Sequence, residues 1–259
     1  NEVVELLNNP NTHMEAIVRD FGDRNPQEDP VIHFYELFLK EYDAKKRMQR
    51  GVFYTPRPVV SFIVRSVDEL LRTKFSLEDG LADTITWGEM TKLHDDLYIP
   101  EGATKDQPFV QILDPATGTG TFLVEVIDLI HKTMTEKWQA EGHSKKKTDK
   151  LWNEYVPKYL LPRLYGYELL MAPYAIAHLK IGLKLYETGY CFGSEERVRV
   201  YLTNALEPAS LRADAKAAGL FEALGREAQA VNEIKRNQRF TVVIGNPPYV
   251  TNKLVVEYI

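Results

Sequence analysis

The chain predicts an α/β fold built on a parallel sheet, and three observations carry that expectation. Residues 109–113 form a short apolar run that passes into a Gly-rich turn and then into a helical pattern. Residues 163–167 repeat the arrangement, an apolar run followed by a helical stretch. Near the end, the apolar run at 240–245 stops at Asn246-Pro247-Pro248-Tyr249. Strands that each feed a crossover helix are the signature of a parallel sheet, whose ligands bind beyond the strands' carboxyl ends.

In chain order, residues 1–50 read as an N-terminal helical segment. Within it 31–42 is dense in Phe34, Tyr35, Leu37, Phe38 and Leu39 and packs against something. Asn25-Pro26 and Asp29-Pro30 mark the loop before it. A helix is expected from Val59 to Phe75, with Thr55 as its N-cap and Pro56 as its first residue. Residues 76–108 are polar and carry Gly80, Gly88, Pro100, Gly102 and Pro108, so they read as an irregular insertion.

The strand at 109–113 leads into Asp114-Pro-Ala-Thr-Gly-Thr-Gly-Thr-Phe-Leu123, and Val124, Ile127, Ile130 and Met134 then mark a helix. Gly118 and Gly120 allow a ligand close to the backbone beside that helix's N-terminus. Position 123 is Leu, so the third glycine of a dinucleotide fingerprint is missing, and no acid stands at a strand end about 20 residues on. Asp114 ahead of the glycines suits a cation better than a pyrophosphate. A nucleoside derivative with positive charge and no phosphate is S-adenosylmethionine.

Residues 141–150 read as a solvated loop, with Lys145, Lys146 and Lys147 on it. The strand at 163–167 ends at Glu168, and a helix follows through Ala175, Leu179, Leu183 and Tyr186. Residues 198–202 alternate as a third strand and run into Thr203 and Asn204. Residues 205–237 are Ala-rich and charged, as one or two helices would be. The fourth strand, 240–244, completes the count.

The Asn-Pro-Pro-Tyr turn answers a chemical need. An amine conjugated to a heteroaromatic ring is a poor nucleophile and needs hydrogen-bond acceptors that draw it toward tetrahedral geometry. Asn246 offers a side-chain oxygen, and the stiff Pro247-Pro248 turn offers carbonyls. Tyr249 gives a flat face for a planar base. Asn-Pro also begins ordinary turns, so the motif alone leaves a plain strand-to-loop turn open.

Taken together, the Asp-Pro-Ala-Thr-Gly-Thr-Gly loop and the Asn-Pro-Pro-Tyr turn resemble those of the N6-adenine DNA methyltransferases. Gly51-Val-Phe-Tyr-Thr-Pro56 resembles the element that one subgroup places ahead of the Gly-rich loop. The motif order is that of the gamma-type enzymes. The segment before it is similar to the methyltransferase part of single-polypeptide restriction-modification enzymes.

The resemblance implies a class I, Rossmann-like methyltransferase sheet. Such a sheet has seven strands, so the chain is expected to stop after the fourth. The resulting division is a segment 1–50 and a catalytic domain 51–259 lacking its C-terminal part. By the same resemblance, Phe53, Tyr54, Thr55 and Pro56 line the methionine end of the cofactor. Asp114, Ala116, Gly118, Gly120, Thr121 and Phe122 form its loop. Glu168 accepts from the ribose hydroxyls, although a surface or capping Glu is the commoner fate of that residue type. Leu169 covers the cofactor adenine, and Asn204, Ala205 and Leu206 meet its edge. Many relatives have Asp where Asn204 stands. Asn246, Pro247, Pro248 and Tyr249 are the catalytic turn.

The implied partner is double-stranded DNA with a flipped adenine. Further domains of a longer polypeptide are also implied, one for target recognition and others of nuclease or helicase type. A methyltransferase for protein glutamine or RNA guanine N2 is the alternative, as is a DNA-interaction module with a vestigial pocket.

Composition narrows the classes. With 259 residues, 44% of them hydrophobic, the chain has enough apolar material for a sizeable core. One cysteine, Cys191, rules out an intrachain disulfide framework and fits a reducing cytoplasm. The six histidines show no ligand spacing, so no metal site is expected; His178 reads as a core or partly buried residue. There is no phosphate loop of the NTPase kind and no apolar run near the roughly 18 residues of a membrane span. The net charge of −5 does not favour a self-sufficient DNA binder. Basic residues do gather at Lys40, Lys45, Lys46, Arg47 and Arg50, just before the pocket segment.

Overall fold

The computed structural model describes residues 55–193, 197–207 and 230–247. Four strands form one sheet: β1 Ile112–Asp114, β2 Leu164–Glu168, β3 Arg199–Leu202 and β4 Val242–Val243, in the order β3-β2-β1-β4. Every pairing is parallel, with Asp114 beside Gly166, Glu168 beside Leu202 and Leu113 beside Val243. This is the strand order of an open Rossmann-like sheet on either side of its switch point. The expected α/β class is therefore what the chain adopts.

Alternation along the strands sorts their side chains onto two faces. Ile112, Leu164, Val200, Val242 and Ile244 join the main core. The helices over that face are α1 Arg57–Lys74, α3 Thr121–Ala140 and α5 Met171–Glu187. α3 is the central one, because Leu123, Val126, Ile127 and Ile130 are fully buried along one stripe. Full burial of side chains of that size stabilises by about 1.5–3 kcal/mol each. On the opposite face Leu113, Tyr165, Tyr167 and Tyr201 pack against Val231 and Ile234 of the helical residues 230–237.

Four local expectations need correction. Residues 76–108 are not an irregular insertion. They hold a 3-10 turn, Gly80–Ala82, and α2, Trp87–Leu93, and they bury Leu77, Leu81, Trp87 and Met90 in the core. Asp68 of α1 organises the turn: its Oδ1 accepts from Leu81 N–H at 2.7 Å and its Oδ2 from Arg72 at 2.7 Å. Gly80 is left-handed, and a Cβ there would sit 2.1 Å from that same Oδ1. α2 starts with a reciprocal capping box between Thr86 and Glu89.

Residues 145–150 are helical rather than a solvated loop. They open α4, Lys145–Tyr155, whose Trp152 and Tyr155 stack at 5.7 Å and anchor it. The three lysines remain largely exposed in its first turn.

α1 starts one residue later than expected. Pro56 is its N-cap, with extended ψ of 135°, and no side chain caps it. Thr55 is therefore not the cap.

In α5 the residues that announced a helix, Ala175, Leu179, Leu183 and Tyr186, all lie on its exposed side. The buried side is Pro173, Ala177, Lys180, Ile181 and Leu185. His178 is partly buried, as expected, with Nε2 3.2 Å from Val200 O.

The strands also begin later than the apolar runs, because Phe109 N–H goes to Ile85 O rather than to a sheet partner. The N-terminal helical segment, the Lys40 to Arg50 cluster and most of 205–237 lie outside the described residues.

Candidate active site

β1 and β2 end side by side at two buried carboxylates. Asp114 is fully buried, and its Oδ1 accepts from Ala116 N–H at 3.0 Å. Its Oδ2 is buried with no hydrogen-bond partner among the described residues. Desolvation pushes the Asp114 carboxyl up to about 7, against the lowering effect of the Ala116 N–H; the charge of Glu168 adds to the rise. Glu168 is also buried. Its Oε2 accepts from Gly118 N–H at 2.8 Å and its Oε1 from Leu170 N–H at 2.7 Å. Its acidity is likewise weakened by burial, partly offset by those N–H groups.

The loop between β1 and α3 is drawn onto β2. Thr117 N–H donates to Tyr167 O at 2.9 Å, and Thr117 Oγ1–H donates to Asp114 O at 3.1 Å. Gly118 and Gly120 have φ of 56° and 84°, in the region where only glycine is unstrained. Gly166 on β2 makes room: a Cβ there would lie 2.5 Å from Thr117 Oγ1. Ala116 and Thr121 are half-buried at the two ends of the loop, whereas Phe122 turns into the core at 4% exposure.

β3 ends in a third loop. Asn204 Oδ1 accepts from Leu206 N–H at 3.1 Å, and its Nδ2 donates to Glu207 at 3.2 Å. Ala205 and Leu206 are exposed there, as is Leu169 beyond β2. Lys235 ties this loop down, donating to Asn204 O at 2.6 Å and Glu207 O at 2.9 Å, with its ammonium 5.8 Å from the Tyr167 ring. No sequence signal marked Lys235, which is one lysine in a charged helical stretch.

The turn after β4 comes to the same edge. Val242 N–H and Ile244 N–H donate to Gln111 O and Leu113 O, so the turn starts in register with β1. Gly245 then passes directly over Asp114: a Cβ on it would be 2.6 Å from Asp114 Oδ1. The sequence showed a Gly before Asn-Pro-Pro but gave no reason for it; that close approach is the reason. Asn246 follows, half-buried, with Nδ2 donating to Thr55 Oγ1 at 3.1 Å. Pro56 and Pro247 are exposed. Phe53, Tyr54, Pro248 and Tyr249 lie outside the described residues.

The structure thus brings Asp114 close to Glu168, which is hydrogen-bonded to Gly118, at one edge of the sheet. Asn246 and Thr55 stand beside it, and the Asn204 loop is on the far side of β2. The donor set fits a cationic nucleotide. A buried carboxylate oxygen without a partner suits an ammonium, the glycine loop admits a ligand, and the exposed Leu169 and Leu206 offer apolar surface.

Comparison with known proteins bears on the family and the fold. Residues 26–80 match the family described as N-6 DNA Methylase. The chain is similar to a protein in a solved DrdV–DNA complex, at 28% identity and a TM-score of 0.53 over 85% of this chain and 16% of that one. It shares its fold with LlaBIII, an ATP-dependent Type ISP restriction-modification enzyme solved bound to DNA. There the identity is 22% and the TM-score 0.52, over 95% of this chain and 16% of that one. The chain therefore spans about one sixth of the length of either. No curated protein matches it significantly. Among the described residues no helix is long and apolar enough to cross a membrane.

Proposed function

Starting from the similarity of this chain to N6-adenine DNA methyltransferases of restriction-modification enzymes, we propose that it transfers a methyl group from S-adenosylmethionine to the N6 amine of adenine in DNA. It would do so in the cytoplasm as part of a restriction-modification system. One observation carries the reading. The turn able to hold an amine, Asn246-Pro247, lies against the buried carboxylate able to hold a cation, Asp114, with only the bare backbone of Gly245 between them.

In this reading Asp114 faces the ammonium of the cofactor's methionine moiety, which would partner its bare Oδ2. Glu168 accepts from the ribose hydroxyls with the lone pairs not spent on Gly118 and Leu170. Leu169 covers one face of the adenine and the Asn204–Leu206 loop meets its edge. Thr55 and Pro56, with Phe53 and Tyr54, close the methionine end. When bound, S-adenosylmethionine supplies an electrophilic methyl group on a sulfonium sulfur.

Asn246 Oδ1 and the Pro247 carbonyl accept from the target amine and aim its lone pair, while Tyr249 stacks on the flipped base. That arrangement would present the amine nitrogen to the methyl group that bound S-adenosylmethionine would supply. The amine then loses a proton to solvent. Positioning and exclusion of water supply the rate, and no strong base is required. Parts of a longer polypeptide would supply target recognition and any nuclease or helicase action.

The test is methyl transfer by the full-length protein, with labelled S-adenosylmethionine offered DNA, RNA and protein together. The expected product is N6-methyladenine in DNA. Label found only in RNA or protein would reassign the substrate, and cofactor binding without transfer would make the pocket vestigial.

A further inference from the structure

We infer that Lys235 is a positioning residue for cofactor binding: its ammonium sets where the loop after β3 stands, and through that loop how the cofactor's adenine edge is recognised. The inference rests on the reading of the Asn204–Leu206 loop given above and deepens it. Lys235 itself is given no contact with cofactor or substrate. An ammonium has donors and no acceptor, so the polarity of its contacts is not open to reversal.

Lys235 is half-buried on the helical residues 230–237 that lead to β4. Its Nζ donates to Asn204 O at 2.6 Å and to Glu207 O at 2.9 Å, the carbonyls at the two ends of the loop's turn. The ammonium also lies 5.8 Å from the ring of Tyr167 on β2. One side chain thus joins three elements: β2, the loop after β3 and the helix before β4. Burial lowers the proton affinity of this ammonium, and the charge of Glu207 works against that loss. The two carbonyls stand in for the water it gives up.

The turn keeps its own shape without Lys235. Leu206 N–H donates to Asn204 Oδ1 at 3.1 Å, Glu207 N–H to Asn204 O at 3.3 Å, and Asn204 Nδ2 to Glu207 Oε1 at 3.2 Å. All three bonds lie within residues 204–207, so they set the turn's curvature and not its place. Among the described residues, the bonds from Lys235 are the ones that join 204–207 to another element, across 31 and 28 residues of sequence. Losing the ammonium should therefore leave a formed turn in the wrong place rather than an unformed one. Place matters because the turn meets a flat, rigid ligand edge-on, and a supporting contact that lets it drift by about 1 Å spoils such recognition.

The experiment uses the full-length protein and compares Lys235→Met with the parent. Met keeps most of the stem and its apolar contacts and removes every donor. The S-adenosylmethionine dissociation constant, measured by calorimetry, should rise about 10-fold, the scale of one hydrogen bond to a charged group. Turnover at saturating cofactor should stay within about twofold, because the reacting groups are untouched. A second readout tests the adenine edge itself. Adenosine and purine riboside, which lacks the exocyclic amine, each compete against S-adenosylmethionine. The parent should prefer adenosine, and Lys235→Met should lose most of that preference, whereas Glu168→Ala should weaken both ribosides alike. A parent-like dissociation constant in Lys235→Met overturns the inference. So does a fall in turnover with affinity intact, or equal weakening of the two ribosides. If Lys235→Met does not fold, the same readouts on Lys235→Gln decide. If instead the parent binds no S-adenosylmethionine, or shows no preference for adenosine, the reading of the pocket fails and the inference with it. That outcome is distinct because it appears without any substitution.

Discussion

The loop after β1 and the turn after β4 reach the same edge of the sheet, yet they are held differently. The loop sits on a central strand and is tied to its neighbour by Thr117 N–H to Tyr167 O and by Gly118 N–H to Glu168. It is also tied to itself through Asp114. Three of these four bonds use a side chain, that of Glu168, Asp114 or Thr117, so the loop's shape depends on those residues as well as on its glycines. The turn leaves a strand of two residues at an edge of the described sheet, and its working side chain is held by one hydrogen bond to Thr55. Redundant bonding suits a site that must hold a ligand. A single contact to a hydroxyl, which can donate as well as accept, leaves the other group freer to re-orient.

The sharpest way to break this comparison is Asn246→Ala in the full-length protein. Turnover should drop about 100-fold or more, as when one aimed polar group is removed from an active site. Cofactor affinity, measured by calorimetry, should be nearly unchanged. Equal losses in both would mean that the turn and the loop are one unit.

Glu168→Ala probes the other side. It should weaken S-adenosylmethionine binding by about 1.5–3 kcal/mol, the range for hydrogen bonds to a charged group. It also strands the N–H groups of Gly118 and Leu170, so the folded protein should melt at lower temperature. An unchanged dissociation constant in a folded variant would remove Glu168 from the ribose role.

A third effect is that of pH. Burial pushes the Asp114 carboxyl up to about 7, well above the ordinary aspartate range. The folded state therefore binds its proton more readily than the unfolded chain. Stability without cofactor should fall as pH rises from about 4 to about 7, and the raised acidity range of Glu168 works in the same direction. An ammonium prefers the carboxylate, so cofactor affinity should climb through pH 7, by at most about tenfold per unit. Asp114→Asn should flatten that climb. A flat profile in the parent would separate Asp114 from the cofactor's cationic end.

What the sequence made legible follows the same division. Asp114, the glycines, Glu168 and Asn246 were visible because each ends an apolar run, and strand ends in a parallel sheet share an edge. α3 was visible because its burial repeats at helical spacing, although it runs from Thr121 to Ala140, beyond the apolar pattern at both ends. Residues 76–108 were misread since their core contacts come singly, Leu77, Leu81, Trp87 and Met90, among polar neighbours. The Thr86-x-x-Glu89 capping box was a readable sign of α2. α5 was found through its exposed residues, because its buried stripe includes Lys180 and Pro173, which do not read as apolar. Thr55 looked like a helix cap in any local reading, and only a partner 191 positions away gives its hydroxyl a different use.

Gly166 and Thr117 share one small volume, since a Cβ on the strand would come within 2.5 Å of the threonine hydroxyl. Their tolerances are consequently linked. Replacing Gly166 by Ala alone must displace the Thr117 side chain, whose Oγ1 and Cγ2 lie 2.5 and 3.2 Å from the added carbon. A smaller residue at 117 would open the space that Ala at 166 needs. A survey that varies one position at a time would score both as immutable, although what is conserved between them is a sum of volumes rather than either identity.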